Sequence, residues 1–129
     1  MADKLLHSNV KEKIIKCFFV VNKNLPNRIS TDFYRKALAI EFEQDNLNVK
    51  SDYPIEIKYR SIKIGELKSD FLINDKVLVK VVSEDTISKQ TGEEAKLLLK
   101  LGRFEVCIIL NKFGDNEFRR IIFTNDYKK

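Results

Sequence analysis

The fold is decided by residues 76–110, which read KVLVKVVSEDTISKQTGEEAKLLLKLGRFEVCIIL. Two apolar runs, at 76–82 and 104–110, flank a segment whose apolar residues recur at helical spacing. This pattern predicts a strand, a crossover helix and a second strand, and such a crossover places the two strands parallel. The run at 104–110 is nearly continuous in apolar residues, which indicates a central strand covered on both faces.

The predicted crossover helix carries its own start and stop signals. Ser88 opens it, Thr91 and Glu94 have the spacing of a capping box, and Gly102 is expected to end it. Four apolar side chains are predicted to face inward: Ala95, Leu97, Leu98 and Leu101.

Upstream of this unit the hydrophobic period changes to two, which predicts strands with one buried face. Residues 53–59 alternate, and the alternation continues over 62–67 past Gly65, where a bulge or turn is expected. Residues 71–73 and 76–82 flank Asn74-Asp75, a dipeptide suited to a tight turn. Three antiparallel strands are therefore predicted, and residues 46–52 ahead of them are predicted to be a loop.

Two helices precede these strands and one strand ends the chain. Residues 4–22 have apolar groups on one helical face, and Ser30 to Asp32 provide capping oxygens for a second helix. Residues 117–123 are predicted to form the last strand. The predicted order is α-α-β-β-β-α-β-β, an α/β protein with a mixed sheet flanked by helices.

Composition suits one soluble domain over residues 1–129. Apolar residues make up 43% of the 129 positions, and 24 Lys and Arg against 19 Asp and Glu give a formal charge of +5, which permits an anionic partner. Cys17 and Cys107 have apolar neighbours and are predicted to be reduced core thiols. We expect a cytoplasmic location and no membrane association, because no leader-like or membrane-spanning run is present.

Three stretches resemble a known family: residues 33–41 (FYRKALAIE), residues 64–73 (IGELKSDFLI), and residues 109–114 (ILNKFG) followed by RII at 120–122. The αβββαβ core and these stretches resemble the PD-(D/E)XK (restriction-endonuclease-like) nuclease superfamily, and within it the small GxxExxR family. The resemblance covers nearly the whole chain, and the stretch from 65 to 73 is its most specific part.

The resemblance also implies a chemistry, and this sequence departs from it. Such nucleases hold Mg²⁺ with an Asp and a Glu, and a Lys two residues after the Glu acts on the attacking water and phosphate. The Asp is present as Asp70, whereas Lys80 stands at the Glu position and Val82 at the Lys position. Further polar positions of the family fall on other residues: Asn22, Thr31, Arg35 and Lys96. The resemblance therefore implies a fold without catalytic residues, a metal or a cofactor.

These replacements predict a basic cleft at the former active site, with Asp70 as its one nearby acid. Such a cleft would hold phosphates without a metal, because Lys and Arg neutralise phosphates and Arg offers a bidentate fork. The predicted nucleic-acid-binding residues are Arg35, Lys58, Arg60, Lys63, Lys68, Lys80, Lys96, Lys100 and Arg103. With no sequence-reading element evident, we expect contacts to backbone and shape, as in structured RNA or a ribonucleoprotein such as the ribosome.

Two alternatives remain open at this point. The replaced positions are also explained by drift to common surface residues, in which case the domain is a scaffold for a protein partner. Residual metal-dependent cleavage is the third reading, with Glu84 or Asp85 supplying a displaced carboxylate.

Three tyrosines and the histidine are further candidates for ligand contact. Tyr34, Tyr53 and Tyr59 lie at apolar-face spacing and are predicted to be core residues. His7 is predicted to be an exposed residue of the first helix.

Overall fold

The computed structural model describes residues 7–26, 28–112 and 116–125. Its helices are α1 (Ser8–Asn24), α2 (Thr31–Gln44) and α3 (Lys89–Gly102). Its strands are β1 (Val49–Tyr59), β2 (Ile62–Ile73), β3 (Val77–Val82), β4 (Val106–Asn111) and β5 (Phe118–Ile122). The chain order is α1-α2-β1-β2-β3-α3-β4-β5, which confirms the predicted α/β order.

The five strands form one mixed sheet in the spatial order β1-β2-β3-β4-β5. Strands β3 and β4 are parallel, as the crossover rule predicts, and the other neighbours are antiparallel. All of β4 is buried, because helices cover the central part of the sheet on both sides. None of the helices in the described ranges is both long and apolar enough to cross a membrane.

Each face of the sheet has its own apolar core. Helices α1 and α2 bury Phe18, Leu38 and Phe42 against one face, together with alternate residues of β2, β3 and β4. Helix α3 covers the other face with Ala95 and Leu99. The two cysteines fall one in each core as free, buried thiols, and burial raises the pKa of Cys107 to about 12.

Helix ends differ from the prediction in ways that the backbone explains. Helix α1 begins at Ser8, and the predicted positions 4–6 lie outside the described residues. His7 is the N-cap, half-buried and with a φ of 56°, so its place as an exposed helical residue was wrong. The His7 side chain makes no capping hydrogen bond, whereas the His7 backbone carbonyl accepts the Lys11 N–H at 2.9 Å.

Helix α3 also departs from its predicted signals. Ser88 is the N-cap, and its hydroxyl accepts from the Thr91 N–H at 3.1 Å, so the capping box at Thr91 and Glu94 was wrong. Gly102 is the last helical residue, and the left-handed position falls on Arg103, with a φ of 60°. The predicted inward orientation of Leu97 was wrong as well, since this side chain is 47% exposed.

Strand β1 is longer than predicted and more exposed at its end. The predicted loop at 46–52 was wrong from Val49 onward, where β1 pairs with Ile73; the polar residues there suit an edge strand. The strands shift register beside Gly65, which confirms the predicted irregularity. Tyr59 is 65% exposed at the hairpin end, so its place in the core was wrong, whereas Tyr34 is buried.

Candidate functional site

The predicted active-site Asp lies where strands β2 and β3 separate, a place that we call the fork. The two strands pair from Ile73 opposite Val77 to Phe71 opposite Val79 and no further. Beyond that point Asp70 Oδ2 accepts the Val81 N–H at 2.6 Å, and the buried Ser69 hydroxyl donates to the Val79 carbonyl at 3.1 Å. Side chains thus replace the missing strand-to-strand hydrogen bonds.

Arg35 reaches the fork from helix α2 and is surrounded by carboxylates. Its Nε lies 3.0 Å from Asp70 Oδ1, and its Nη1 lies 3.5 Å from Asp32 Oδ1. Its Nη2 donates to Asp52, which has a φ of 52° on strand β1. The guanidinium carbon lies 5.9 Å from the centre of the Phe71 ring. The Arg35 side chain is therefore 20% exposed, and its charge is compensated from three sides.

Burial and charge oppose each other at this ion pair. Burial raises the pKa of Asp70 above its usual range, and the Val81 N–H and Arg35 reduce that shift without cancelling it. For Arg35, burial works against the charged form, but Asp52, Asp70 and Asp32 outweigh it and raise the pKa. Arg35 therefore stays cationic, while the charge of Asp70 weakens the fold.

Lys80 lies at the fork on the opposite face, which α3 covers. Its Nζ lies 3.5 Å from Glu94 Oε1, and 22% of its side chain is exposed. The pKa of Glu84 is lowered mainly by hydrogen bonds from Thr91 and Ser88, and the charge of Lys80 adds a smaller contribution. Asp70 is therefore not the one nearby acid of a basic cleft. That expectation was wrong, because Asp32 and Asp52 lie beside Arg35 and Glu94 lies beside Lys80.

The donor set at the fork does not fit Mg²⁺. Both oxygens of Asp70 are engaged, one by the Val81 N–H and the other by Arg35. An ammonium group stands at Lys80, and Val82 offers no donor. Glu84 accepts the Ser88 N–H at 2.9 Å and the Thr91 hydroxyl, so both of its oxygens already accept hydrogen bonds at the start of α3. Among the described residues there is no group of three or more His, Cys, Asp or Glu arranged to hold a metal.

The other predicted binding residues divide into separate places. Strands β1 and β2 run beyond the fork as a two-stranded arm that ends at Tyr59 and Ile62. The arm carries Arg60 over the Tyr59 ring at 6.0 Å, and Lys63 pairs with Glu66 at 3.1 Å. Lys68 is exposed on the same arm. These cations therefore follow the arm and do not converge on the fork.

Lys96 faces a second place, between α3 and β5. Its Nζ lies 5.1 Å from the centre of the Phe123 ring. Lys89, Arg119 and Arg120 border the same depression, together with Glu93. The structure thus separates Lys96 from Arg35 and Lys80, which the sequence placed in one cleft.

Three predicted residues do come together, in a groove between β1 and the end of α3. Lys58, Lys100 and Arg103 line it with Tyr53 and Phe104, whose ring centres lie 5.9 Å apart, and its volume is about 550 Å³. We call it the basic groove. Among the described residues, Glu56 is the one acidic residue that lines it, and it lies 3.8 Å from Lys58 Nζ. Within the described ranges neither Lys100 nor Arg103 has an ion-pair partner.

Comparison with protein-family models decides the family. The model for the PD-(D/E)XK nuclease superfamily matches residues 8–121. The chain belongs to the PD-(D/E)XK nuclease superfamily. The match covers all eight elements but the last residue of β5, and the mixed sheet flanked by helices is consistent with that fold. No curated protein and no solved structure matches the chain.

Sequence reasoning missed the residues that neutralise the fork of this superfamily member. Asp32 and Arg35 are three apart on a helix, so their pairing was predictable from spacing. Asp52 gave no signal, because its approach to Arg35 depends on β1 passing beside α2. Glu94 reaches Lys80 only because α3 packs on the sheet. Tyr53 and Phe104 likewise meet only in the folded chain.

Asp70 offers a first prediction. We expect Asp70→Asn to change the free energy of unfolding at pH 7 by less than about 1 kcal/mol, since an amide oxygen still accepts the Val81 N–H. Asp70→Ala leaves that buried N–H without an acceptor and is expected to cost about 1–3 kcal/mol. Urea titrations of both variants measure the difference.

The pH dependence of the same variants has a definite sign. The folded-state pKa of Asp70 is raised, so the folded chain binds this proton more tightly than the unfolded chain. Its contribution therefore becomes unfavourable as pH rises from the ordinary value of 3.8 through the folded pKa. Relative to Asp70→Asn, the natural protein should lose stability over this rise. A relative gain would show that Asp70 stabilises the fold through its charge.

Proposed function

We propose that this chain is a non-catalytic nucleic-acid-binding module, a degenerate relative of the GxxExxR family that holds backbone phosphates in the basic groove. The observation that carries the proposal is the convergence of Lys58, Lys100 and Arg103 there, with Glu56 as the one acidic lining residue in the part of the chain that the structure describes. Lys58 is paired with Glu56, whereas Lys100 and Arg103 have no ion-pair partner among the described residues. Such cations attract phosphates and release counterions, which favours binding to any nucleic-acid backbone.

The ion-pair partners of the cations favour the basic groove over the fork as the phosphate-binding site. Arg35 and Lys80 face carboxylates of the protein, so a phosphate entering the fork meets those acids first. Lys100 is exposed on the last turn of α3, and Arg103 is exposed immediately after it. Their charges are available to an external anion without breaking an ion pair of the described residues.

The backbone of Arg103 adds a second argument. Its φ of 60° is a conformation that glycine or asparagine adopts more easily, and α-helices often end on glycine there. A left-handed arginine costs about 1–2 kcal/mol relative to an unstrained residue. A use for its side chain would account for an arginine at this position despite that cost.

The expected ligand is structured RNA, as in a ribonucleoprotein such as the ribosome. The groove walls supply cations and two aromatic rings set at 77° to one another, and this arrangement suits phosphates and sugars better than stacked bases. Structured RNA is recognised mainly through its shape, phosphates and 2′-hydroxyl groups. Duplex DNA is the competing ligand, and the experiments compare the two.

We also propose that the chain does not cleave nucleic acid. Two observations support this: both oxygens of Asp70 are engaged, and Lys80 stands where the family has a Glu. The test is to incubate the chain with an end-labelled RNA hairpin and a DNA duplex, in EDTA and in Mg²⁺ or Mn²⁺. We expect equal affinity at matched ionic strength in each condition and intact nucleic acid throughout. Metal-dependent cleavage that disappears in Asp70→Asn would overturn the proposal.

Arg103→Gly separates stability from binding. We expect the variant to unfold at a higher urea concentration, with a gain of about 1 kcal/mol, because glycine relieves the left-handed strain. We also expect its affinity for the RNA hairpin to fall severalfold, since one of three groove cations is lost.

Arg60→Gly is the matched control for that variant. Arg60 also has a positive φ, of 50°, but it lies at the arm end and outside the groove lining. We expect a similar gain in stability with affinity within about twofold of the natural chain. Equal loss of affinity in both variants would show that the contact is not specific to the groove.

The alternative function is a scaffold for a protein partner. A specific observation favours a protein contact as well, an apolar depression on the opposite side of the sheet from the basic groove. Because the two surfaces are separate, a protein contact there does not compete with the nucleic-acid proposal.

A further inference from the structure

Helix α1 and strand β5 leave an apolar depression between them, which we call the apolar groove. Ile15, Phe19, Val20 and Phe118 line it, and Lys11, Glu12 and Lys16 stand at its border; its volume is about 430 Å³. The lining is almost entirely apolar. This groove lies on the face of the sheet that α1 and α2 cover, so it goes beyond the proposed function.

Two aromatic rings of the groove are exposed although they have buried aromatic support. Phe19 is 41% exposed and Phe118 is 38% exposed. The centres of these two rings lie 6.1 Å apart. The Phe19 ring lies 5.8 Å and the Phe118 ring 6.5 Å from the ring of buried Phe18. Both exposed rings therefore pack against a buried side chain of the core. A ready-formed aromatic depression of this kind binds apolar side chains at little ordering cost.

The charges around the groove indicate the partner. Helix α1 carries four lysines, at positions 11, 13, 16 and 23, against Glu12, which gives 4 − 1 = +3. Lys16 has a neighbour in Asp45, at 3.5 Å, whereas Lys11 has no ion-pair partner within the described residues. An apolar depression with a cationic border complements a segment whose apolar side chains are flanked by acidic ones.

The same features argue against other occupants. A second copy would bring the lysines of two α1 helices together, which like-charge repulsion disfavours. A nucleic acid would have to stack bases on Phe19 and Phe118, but these rings are tilted by 58° to each other and the floor offers almost no polar group. We propose that the apolar groove docks an amphipathic segment of a partner protein, with apolar side chains on Phe19 and Phe118 and acidic side chains toward Lys11.

The test uses a displayed library of random peptides about 12 residues long, which are selected on the chain of residues 1–129 and then sequenced to determine their composition. We expect enrichment of peptides that combine aromatic or aliphatic residues with Asp and Glu. Synthetic versions of the enriched peptides should bind at least tenfold more weakly to Phe19→Ser and severalfold more weakly to Lys11→Glu.

Lys13→Glu is the matched control, since Lys13 is exposed on the same helix but does not line the groove. We expect it to retain affinity within about twofold, the modest effect of a distant surface charge. Far-ultraviolet circular dichroism and urea titration establish that each variant is folded. Lys11→Glu keeps the test valid if Phe19→Ser does not fold.

Several results would overturn the proposal. No enrichment of acidic peptides, or equal peptide binding by Phe19→Ser and the natural chain, would show that the apolar groove is not a docking surface for such peptides. A dimer in sedimentation experiments that Phe19→Ser abolishes would assign the groove to a second copy. RNA binding that Phe19→Ser weakens would assign it to nucleic acid. Displacement of the selected peptides by a synthetic peptide of residues 1–7 would assign it to this chain's own terminus.

Discussion

Charge reversal at the end of α3, by Lys100→Glu with Arg103→Glu, is expected to lower the affinity for an RNA hairpin by at least about tenfold at roughly 0.1 M salt. Each cation that neutralises a phosphate releases a counterion, so losing two contacts removes two releases and adds repulsion from two carboxylates. The slope of log affinity against log salt should become shallower by about 1.5–2. Fluorescence anisotropy over a salt series measures both quantities.

A variant with the same net charge separates the groove from overall charge. Lys13→Glu with Lys36→Glu also lowers the formal charge from +5 to +1, since each substitution removes two units and 5 − 4 = 1. Both lysines are exposed, on α1 and α2, across the sheet from the basic groove. We expect this variant to keep most of its affinity. Equal weakening in the two variants would show that the chain binds through its total charge.

The second large effect concerns the ion pair at the fork. Arg35→Met keeps an apolar stem over Phe71 but leaves Asp70 without its cation, and we expect a loss of about 2–4 kcal/mol in the free energy of unfolding at pH 7. Without Arg35 the pKa of Asp70 rises further, because Arg35 is one of the groups that lower it. The loss should therefore shrink as pH falls and Asp70 takes up its proton.

Two further variants show whether Asp70 is the cause. Arg35→Met with Asp70→Asn should recover at least half of the lost stability, because no unpaired carboxylate then remains buried. Asp52→Asn removes an exposed partner of the same arginine, and we expect a change below about 1 kcal/mol. A loss in Arg35→Met that Asp70→Asn does not reduce, or that is the same at pH 4 and pH 7, would contradict this assignment.

Much of the fold was predictable because local signals and packing agree. The strand, helix and strand of residues 76–110 follow from periodicity, and their parallel pairing follows from chirality. Asn74 and Asp75 occupy the left-handed positions of a tight turn that suits their residue types. The second hairpin turn, at Arg60 and Ser61, was not predicted, since neither residue type signals a positive φ.

The candidate site was less predictable, because it depends on which side chains meet in space. The family resemblance predicted that Arg35, Lys80 and Lys96 share one basic cleft. In the structure Arg35 and Lys80 approach the fork from opposite faces of the sheet and meet acids there, while Lys96 faces β5. The grouping of Lys58 with Lys100 and Arg103 depends on β1 lying beside the end of α3, which no local pattern contains.

The partnered charges at the fork bear on the proposed absence of catalysis. Arg35 lies beside one oxygen of the partly buried Asp70 carboxylate, and the Val81 N–H occupies the other. Lys80, on the opposite side, finds Glu94. We propose that these pairs compensate the partly buried charges where the strands separate, and that nucleic acid binds at the basic groove instead of the fork.

The measurement that tests this account most directly is the salt dependence of affinity for an RNA hairpin and a DNA duplex, in EDTA, with the natural chain. The account predicts binding to nucleic acid that weakens linearly in log salt with a slope of about −2 to −3, as three groove cations imply, and tighter binding to the RNA. Absence of binding to either ligand at low salt, or an affinity that salt does not change, would contradict it.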